Sequence, residues 1–213
     1  MMLSSPLETD ARFRTLKNAL ASYRAEGSNQ PPILDVTTMR AAVAIVLRAS
    51  DPLEVLLVKR ATSDSDPWSG HMALPGGRYD NSDPDLISTA KRETMEEVGV
   101  DLDHCAPLLG RLDDMSPSTH RLPVLSISPF VFGVSDDRDA YVASPEIGQV
   151  FWVQIEDLMT PENHRTVEIP LPEGSKEFPC FSVEGEHVWG LTYRILSQFL
   201  DVLQGERLKR SKP

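Results

Sequence analysis

The run Arg92-Glu93-Thr94-Met95-Glu96-Glu97-Val98-Gly99-Val100 places three carboxylates and a guanidinium within six residues, a short loop after Gly76-Gly77. Asp83 reads as a helix N-cap, Pro84 as the first helical residue and Gly99 as a left-handed C-terminal cap, so the spacing predicts a helix over 84–98. At about 100° per residue, Ile87, Ala90, Thr94 and Val98 form an apolar stripe, and Glu93, Glu96 and Glu97 span an adjoining arc of roughly 100°. The three carboxylates are expected to converge beside the buried face. Like charges in one helical turn repel, and the macrodipole disfavours anions near a helix C-terminus. A hard divalent cation resolves that repulsion, because Mg²⁺ takes oxygen ligands from a few carboxylates, waters and substrate phosphates. Gly76 and Gly77 would let the loop backbone approach closely enough for a carbonyl to join the shell. The competing reading is a solvated acidic helix face with Lys91 and Arg92 as surface partners. The Gly-Gly loop, the Arg-Glu pair and the Gly cap at fixed offsets favour the cation.

These groups need a scaffold, and the flanking sequence supplies strands. Ala41–Leu47 and Leu53–Val58 are apolar runs joined by the turn residues Ser50-Asp51-Pro52. Further strands are predicted over Leu108–Leu112, Leu122–Phe132, Val150–Gln154, Thr166–Ile169 and Phe178–Val183. A helix is predicted from Glu8 to about Glu26, with Phe13, Leu16, Ala19, Leu20 and Tyr23 at three- and four-residue spacing, ending near Gly27. Another runs from Trp189 to Leu203, with Leu191, Ile195, Leu196, Phe199, Leu200 and Leu203 on one side. Strands with internal helices indicate an α/β fold, α+β by some schemes, in which helices cover a sheet. The expected division is an N-terminal helical arm and linker over 1–36, one catalytic domain over 37–204 and a solvated tail over 205–213.

Composition limits the partners. The 213 residues carry 21 Lys plus Arg against 32 Asp plus Glu, a formal charge of −11 that repels a nucleic-acid backbone. Cys105 and Cys180 have no Cys or His at metal spacing, which suggests neither a disulfide framework nor a zinc site. No apolar stretch is long enough to span a bilayer and no leader pattern opens the chain, so a cytoplasmic protein without nucleic-acid or membrane partners is expected. An anionic substrate then needs local help. Asp80, Asp83 and Asp85 lie close to the three glutamates, in one loop-helix where a divalent cation would invert the sign felt by a phosphate.

The segment Arg92–Val100 resembles the second half of the Nudix hydrolase signature, Arg-Glu-apolar-x-Glu-Glu-x-Gly-apolar, with Thr94 where the family prefers an apolar residue. In the first half, Gly77 lies fifteen residues before Arg92 instead of fourteen, and Asp80, Asp83 and Asp85 stand near the place of the family's early Glu. This longer, Asp-rich loop with Thr89-Ala90 before the Arg-Glu is similar to the branch containing coenzyme A pyrophosphatases. Leu56-Leu57-Val58-Lys59-Arg60-Ala61 and Gly70 before Leu74-Pro75-Gly76-Gly77 keep the frame of that branch's upstream motif. They differ from it by Val58 for Thr, Leu74 for Phe and Ser65-Asp66 where a basic residue belongs. The resemblance runs from about Thr38 to Leu203.

The resemblance implies an α/β/α sandwich with a mixed central sheet, the N-terminal helix lying outside it. It implies Mg²⁺ or Mn²⁺ as cofactor, Glu93, Glu97 and Glu96 as metal ligands with the Gly76 carbonyl, and Arg92 orienting the carboxylates. The substrate would be a small-molecule diphosphate, first coenzyme A or its acyl forms, with ADP-ribose, sugar-nucleotide or dinucleotide cleavage and a catalytically inactive ligand-binding module as alternatives. The general base is left open among Glu93, Glu96 and Glu146. Arg60, Arg78, Gly77 and Trp68 are the candidate substrate contacts, whereas His71 and Trp189 read as structural. A homodimer is left open as well.

Overall fold

The computed structural model describes residues 10–23, 38–63, 68–117, 124–171 and 174–205. The linker Ser28–Pro32, the end of the first helix near Gly27, the Ser65-Asp66 pair and most of the C-terminal tail lie outside the described residues.

Strand β1 (Thr38–Arg48) is the spine of the central sheet and pairs in parallel with β6 (Val124–Val134) from Thr38↔Val124 to Arg48↔Val134. Its other edge is shared by two partners. Near the C-terminal end, Leu47↔Val55 and Arg48↔Glu54 join β2 (Glu54–Arg60); near the N-terminal end, Ala41↔Arg78, Ala42↔Gly77 and Val43↔Gly76 join β4 (Gly76–Arg78). Beyond β2 lie β3 (Met72–Ala73) and β7 (Ile147–Gln154), and β5 (Leu108–Arg111) completes the seven strands against β6. The sheet is mixed, with β1–β6 parallel and its other pairings antiparallel.

Both faces are covered, which is why β1 and β2 read as unbroken apolar runs. On one face Ile45, Leu47, Val55, Leu57 and Val153 pack with α1 (Ala11–Ser22) and with the C-terminal helix Gly190–Leu203. On the other, Ala42, Ala44, Val46, Leu56, Phe130 and Phe132 pack against α2 (Leu86–Val98) and α3 (Leu102–Cys105). The period-two alternation of a strand thus sorts odd and even residues of β1 onto two helical layers, the expected α/β/α sandwich. A short α4 (Ile155–Met159) follows β7, and the helix Gly190–Leu203 is α5. Among the described residues no helix is long and apolar enough to cross a membrane.

Three expectations need correction. The first helix is shorter than predicted within the described residues, because Asp10 caps it by accepting the Arg12 N–H at 2.8 Å. Its Phe13, Leu16 and Leu20 are buried in the same core as α5, with the Phe13 ring against Gly133 and Leu20 against Gly110. Tyr23 donates to Asp113 at 2.8 Å, and the Gln198 side-chain amide donates to both, so polar bonds also tie α1 to α5. The second helix begins at Leu86, capped by Asp85, whose Oδ1 accepts the Ser88 N–H at 2.8 Å; Asp83 is committed elsewhere. Lastly, the strands predicted around 166–169 and 178–183 extend into β8 (His164–Leu171) and β9 (Gly174–Val183), which with β10 (Glu186–Trp189) form a separate antiparallel sheet. Much of the β8–β9 hairpin is exposed, so its residues carry little of the apolar alternation that marks a strand.

Candidate active site

The candidate residues gather where β1 changes partner from β2 to β4. Gly76 begins β4 with φ of +148°, and a Cβ there would strike the Ala42 carbonyl and Val43 of β1. Its N–H donates to Glu97 Oε2 at 3.0 Å. At Gly77 a Cβ would lie 2.5–2.6 Å from the carboxylate atoms of Glu93, so the missing side chain is what lets Glu93 rest against the loop backbone.

Helix α2 carries the acids, and they differ in burial. Leu86, Thr89, Ala90, Thr94, Glu97 and Val98 are its buried residues, while Ile87 is only half-buried. Side-chain exposure rises from 19% at Glu93 to 57% at Glu96, and Glu97 is 6% exposed as a residue. Burial pushes the Glu97 carboxyl up to about 7, opposed by the Gly76 N–H and Arg60 and reinforced by the charges of Glu93 and Glu146. Glu93 is also raised, first by burial and then by Glu96 and Glu146, with Arg92 pulling against both effects. Glu96 is the most exposed of the three, while Glu93 rests against Gly77 and Glu97 against the Gly76 N–H.

Arg92 ties this arrangement together. Its guanidinium donates to Asp83 at 2.9 and 3.0 Å, to Glu96 at 3.1 Å and to the Arg78 carbonyl at 3.2 Å, and it pairs with Glu93 at 3.0 Å. Asp83, its buried anchor, also accepts the Thr89 hydroxyl at 2.8 Å and the Asp80 N–H at 3.1 Å. Sequence reasoning read Asp83 as a helix cap and missed this; the available signal was that Asp83 is the sixth residue after Gly77, the place of the early acid in the resembled pattern, with the extra residue inserted after it. The three aspartates therefore do not augment a cation site: Asp83 is paired with Arg92, Asp85 caps α2 and Asp80 binds Ser82.

Glu146 arrives from the loop before β7. Its side chain is 70% exposed, 3.8 Å from Arg60, and its carbonyl accepts the Ala61 N–H at 2.7 Å. The field of its charge reaches Glu93 and Glu97, and Arg60, at the end of β2, reaches Glu97. Arg78 contributes its carbonyl, while its side chain is exposed. Trp68 is half-buried and its carbonyl accepts the His71 N–H at 3.1 Å. The His71 ring meets Trp189 edge-on at 4.7 Å, and the half-buried Trp189 leans on Phe178 at 5.3 Å. A groove of about 510 Å³ on the outer side of α2, lined by Asp83, Lys91, Arg92, Met95, Glu96 and His104 among others, does not include Glu93 or Glu97 in its walls.

Among the described residues no three Asp, Glu, His or Cys side chains already stand as a metal cage. Two carboxylates beside one Gly-Gly loop nonetheless suit Mg²⁺, which is commonly held by one or two protein carboxylates and completed by waters and substrate phosphates. A buried Glu97 that accepts the Gly76 N–H, repelled by a half-buried Glu93 that Arg92 orients, is a donor set of that kind.

A family model for the NUDIX domain matches residues 37–171. An uncharacterized protein of Schizosaccharomyces pombe is 38% identical over 60% of this chain, which spans only 40% of that relative's length. The uncharacterized Nudix hydrolase NudL of Pectobacterium atrosepticum is 24% identical over 79% of this chain and 85% of its own. Among solved structures, an Ap4A hydrolase binary complex from Caenorhabditis elegans aligns with a TM-score of 0.49 at 19% identity, covering 78% of this chain and 98% of that one. The NUDIX domain of Shewanella oneidensis NrtR, complexed with ADP ribose, aligns with a TM-score of 0.45 at 21% identity over 62% and 82% of the two chains.

Proposed function

The chain belongs to the Nudix family, and from that premise we propose that it is a cytoplasmic hydrolase that cleaves the diphosphate linkage of a nucleoside-diphosphate derivative, with coenzyme A or an acyl-coenzyme A as the first substrate to test. The observation that carries the reading is the Glu93–Glu97 pair beside Gly76 and Gly77. One carboxylate is buried on a backbone N–H with its pKa near 7, and the other is laid on a glycine that admits no Cβ. Coenzyme A is placed first because the Gly-Gly loop, its spaced aspartates and the Leu56–Ala61 segment resemble that branch.

In this reading Glu93 and Glu97 would hold the cation, with the Gly76 carbonyl and Glu96 as further candidate ligands. A Mg²⁺ or Mn²⁺ ion bound there supplies charge neutralisation for the diphosphate and lowers the pKa of water. Arg92, anchored by Asp83, holds Glu93 and Glu96 in orientation. Arg60 faces the diphosphate oxygens, with Arg78 and Trp68 further out around the same loop. With Glu93 and Glu97 assigned to the cation, Glu146, whose charge acts on both from the loop before β7, takes the proton of the attacking water as a new P–O bond forms; the bridging P–O bond breaks and its electron pair leaves with the second phosphate. General-base assistance of this kind contributes roughly 10²–10⁴-fold.

A mass-spectrometric product panel with Mg²⁺ or Mn²⁺, against a chelated control, tests the proposal. Coenzyme A should give 3′,5′-ADP and phosphopantetheine, whereas ADP-ribose cleavage would give AMP and ribose 5-phosphate. Glu97→Gln should lose nearly all metal-dependent turnover while staying folded, and unchanged turnover in that variant overturns the site.

A further inference from the structure

We propose that Tyr141 is a positioning residue for Glu146, acting by holding the 135–146 loop on the C-terminal end of α2; the inference rests on the hydrolase reading and deepens it. Helix ends leave their last carbonyls without intrahelical partners. In α2 two of these are taken by the loop: Tyr141 N–H donates to the Val98 carbonyl at 3.1 Å and Ala143 N–H to the Glu97 carbonyl at 3.0 Å. Glu97 is therefore held at both ends, by Gly76 on its carboxylate and by the loop on its backbone.

The Tyr141 ring lies flush on Gly99, so closely that a Cβ on Gly99 would overlap it. Gly99 thus serves twice, as the left-handed cap with φ of +71° and as the bare surface that receives the ring. Tyr141 is nevertheless 61% exposed, and Val142 is 47% exposed, so neither owes its place to core burial. What the contact does is local. From Ala143 the chain passes Ser144, whose hydroxyl accepts the Glu146 N–H at 3.2 Å, and the Glu146 carbonyl is then pinned to the Ala61 N–H. Glu146 is accordingly set from both sides, by the helix that bears Glu93 and Glu97 and by the strand that bears Arg60. The front of the loop is tied separately, where Arg48 donates to the Arg138 carbonyl at 3.5 Å.

The test compares Tyr141→Ala, which removes the ring, with Tyr141→Phe, which keeps it. Amide hydrogen exchange of the metal-free full chain reads the loop directly: the Tyr141 and Ala143 amides should be protected in wild type and Tyr141→Phe and exchange faster in Tyr141→Ala. With the diphosphate substrate found in the product panel, Tyr141→Ala should lose about 10- to 100-fold in kcat at unchanged KM, the scale of a small misplacement of a reacting group. Tyr141→Phe should restore kcat. Equal exchange and equal kcat in Tyr141→Ala and wild type overturn the inference, as does a raised KM at unchanged kcat, which would make the ring a substrate contact. Wild-type turnover separates the two levels: an inactive wild type overturns the hydrolase reading, while an active wild type matched by Tyr141→Ala overturns only the role of Tyr141.

Discussion

Asp83 grips Arg92 side-on, Oδ1 to Nε at 2.9 Å and Oδ2 to Nη2 at 3.0 Å, with the carboxylate 5% and the guanidinium 29% exposed. A bidentate pair fixes the plane of the guanidinium as well as its position. That leaves the remaining edge of Arg92 in one orientation toward Glu93 and Glu96. Burial alone would raise the Asp83 carboxyl, but Arg92, the Asp80 N–H and the Thr89 hydroxyl together hold it below the ordinary 3.8.

Asp83→Asn keeps the acceptor for Thr89 and Asp80 but removes the charge facing Arg92. The expected loss of stability is about 1–3 kcal/mol near neutral pH, the scale of hydrogen bonds to charged groups. Because the folded-state pKa is depressed, the stabilisation is fully present above 3.8 and disappears as pH falls through the lower folded value. Urea denaturation at pH 7 and at the acid limit of folding should therefore show a gap between variant and wild type that narrows with acid. A gap independent of pH would mean that charge is not what Asp83 contributes.

Gly77→Ala tests the cradle for Glu93. The Cβ would fall 2.5–2.6 Å from the carboxylate, so Glu93 must swing away from the loop, a movement that its exposed side permits without unfolding. We expect weaker divalent-cation binding by calorimetry and a loss of roughly 10²-fold in kcat/KM, as for a reacting group misplaced by about 1 Å. Wild-type cation affinity in this variant would remove Glu93 from the ligand set.

Periodicity made the layers legible and could not rank the acids. Ile45 and Leu47 on one face, Ala44 and Val46 on the other, announce a doubly covered strand because burial on both sides is written into every residue. The arc containing Glu93, Glu96 and Glu97 was legible by the same geometry, but their order of burial was not. It depends on where Gly76 and Gly77 of β4 come to rest beside β1, a pairing between segments more than thirty residues apart in sequence. Asp83 was misread for a related reason: a cap and an ion-pair partner share one residue type, and only the presence of Asp85 two positions later freed Asp83 for Arg92. The Tyr141 contact left no periodic trace, since an exposed ring on a glycine belongs to neither pattern.

The pH dependence of Glu97 runs opposite to that of Asp83. Its folded-state pKa is raised from 4.5 to about 7, so in the metal-free protein ionisation of Glu97 costs stability. That cost is absent below 4.5, grows between 4.5 and 7 and is complete above; the interval corresponds to roughly 3 kcal/mol. Glu97→Gln keeps an acceptor for the Gly76 N–H without the charge, so with chelator present the variant should be the more stable protein at pH 8 and equal to wild type near pH 4.5. Adding Mg²⁺ or Mn²⁺ at pH 8 should stabilise wild type and leave Glu97→Gln nearly unmoved, because ligand binding to the folded state adds to stability through its affinity. A variant less stable than wild type at pH 8 in chelator would refute the strained carboxylate.

The N-terminal helix lies outside the matched family segment, which begins at residue 37, yet Phe13 is 2% exposed and packed on Gly133 of β6. That glycine has no side chain to fill the space, so the ring supplies the covering that the strand cannot. Phe13→Ala should leave a cavity on that face and cost about 3–5 kcal/mol, the usual range for truncating a buried aromatic. Since the site is assembled on the opposite face by α2 and β4, kcat for a diphosphate substrate should be preserved at temperatures where the variant stays folded. Thermal unfolding paired with turnover at a low assay temperature checks both halves. Preserved stability would show that α1 is an appendage, whereas lost stability with intact kcat would make it a structural part of the catalytic unit.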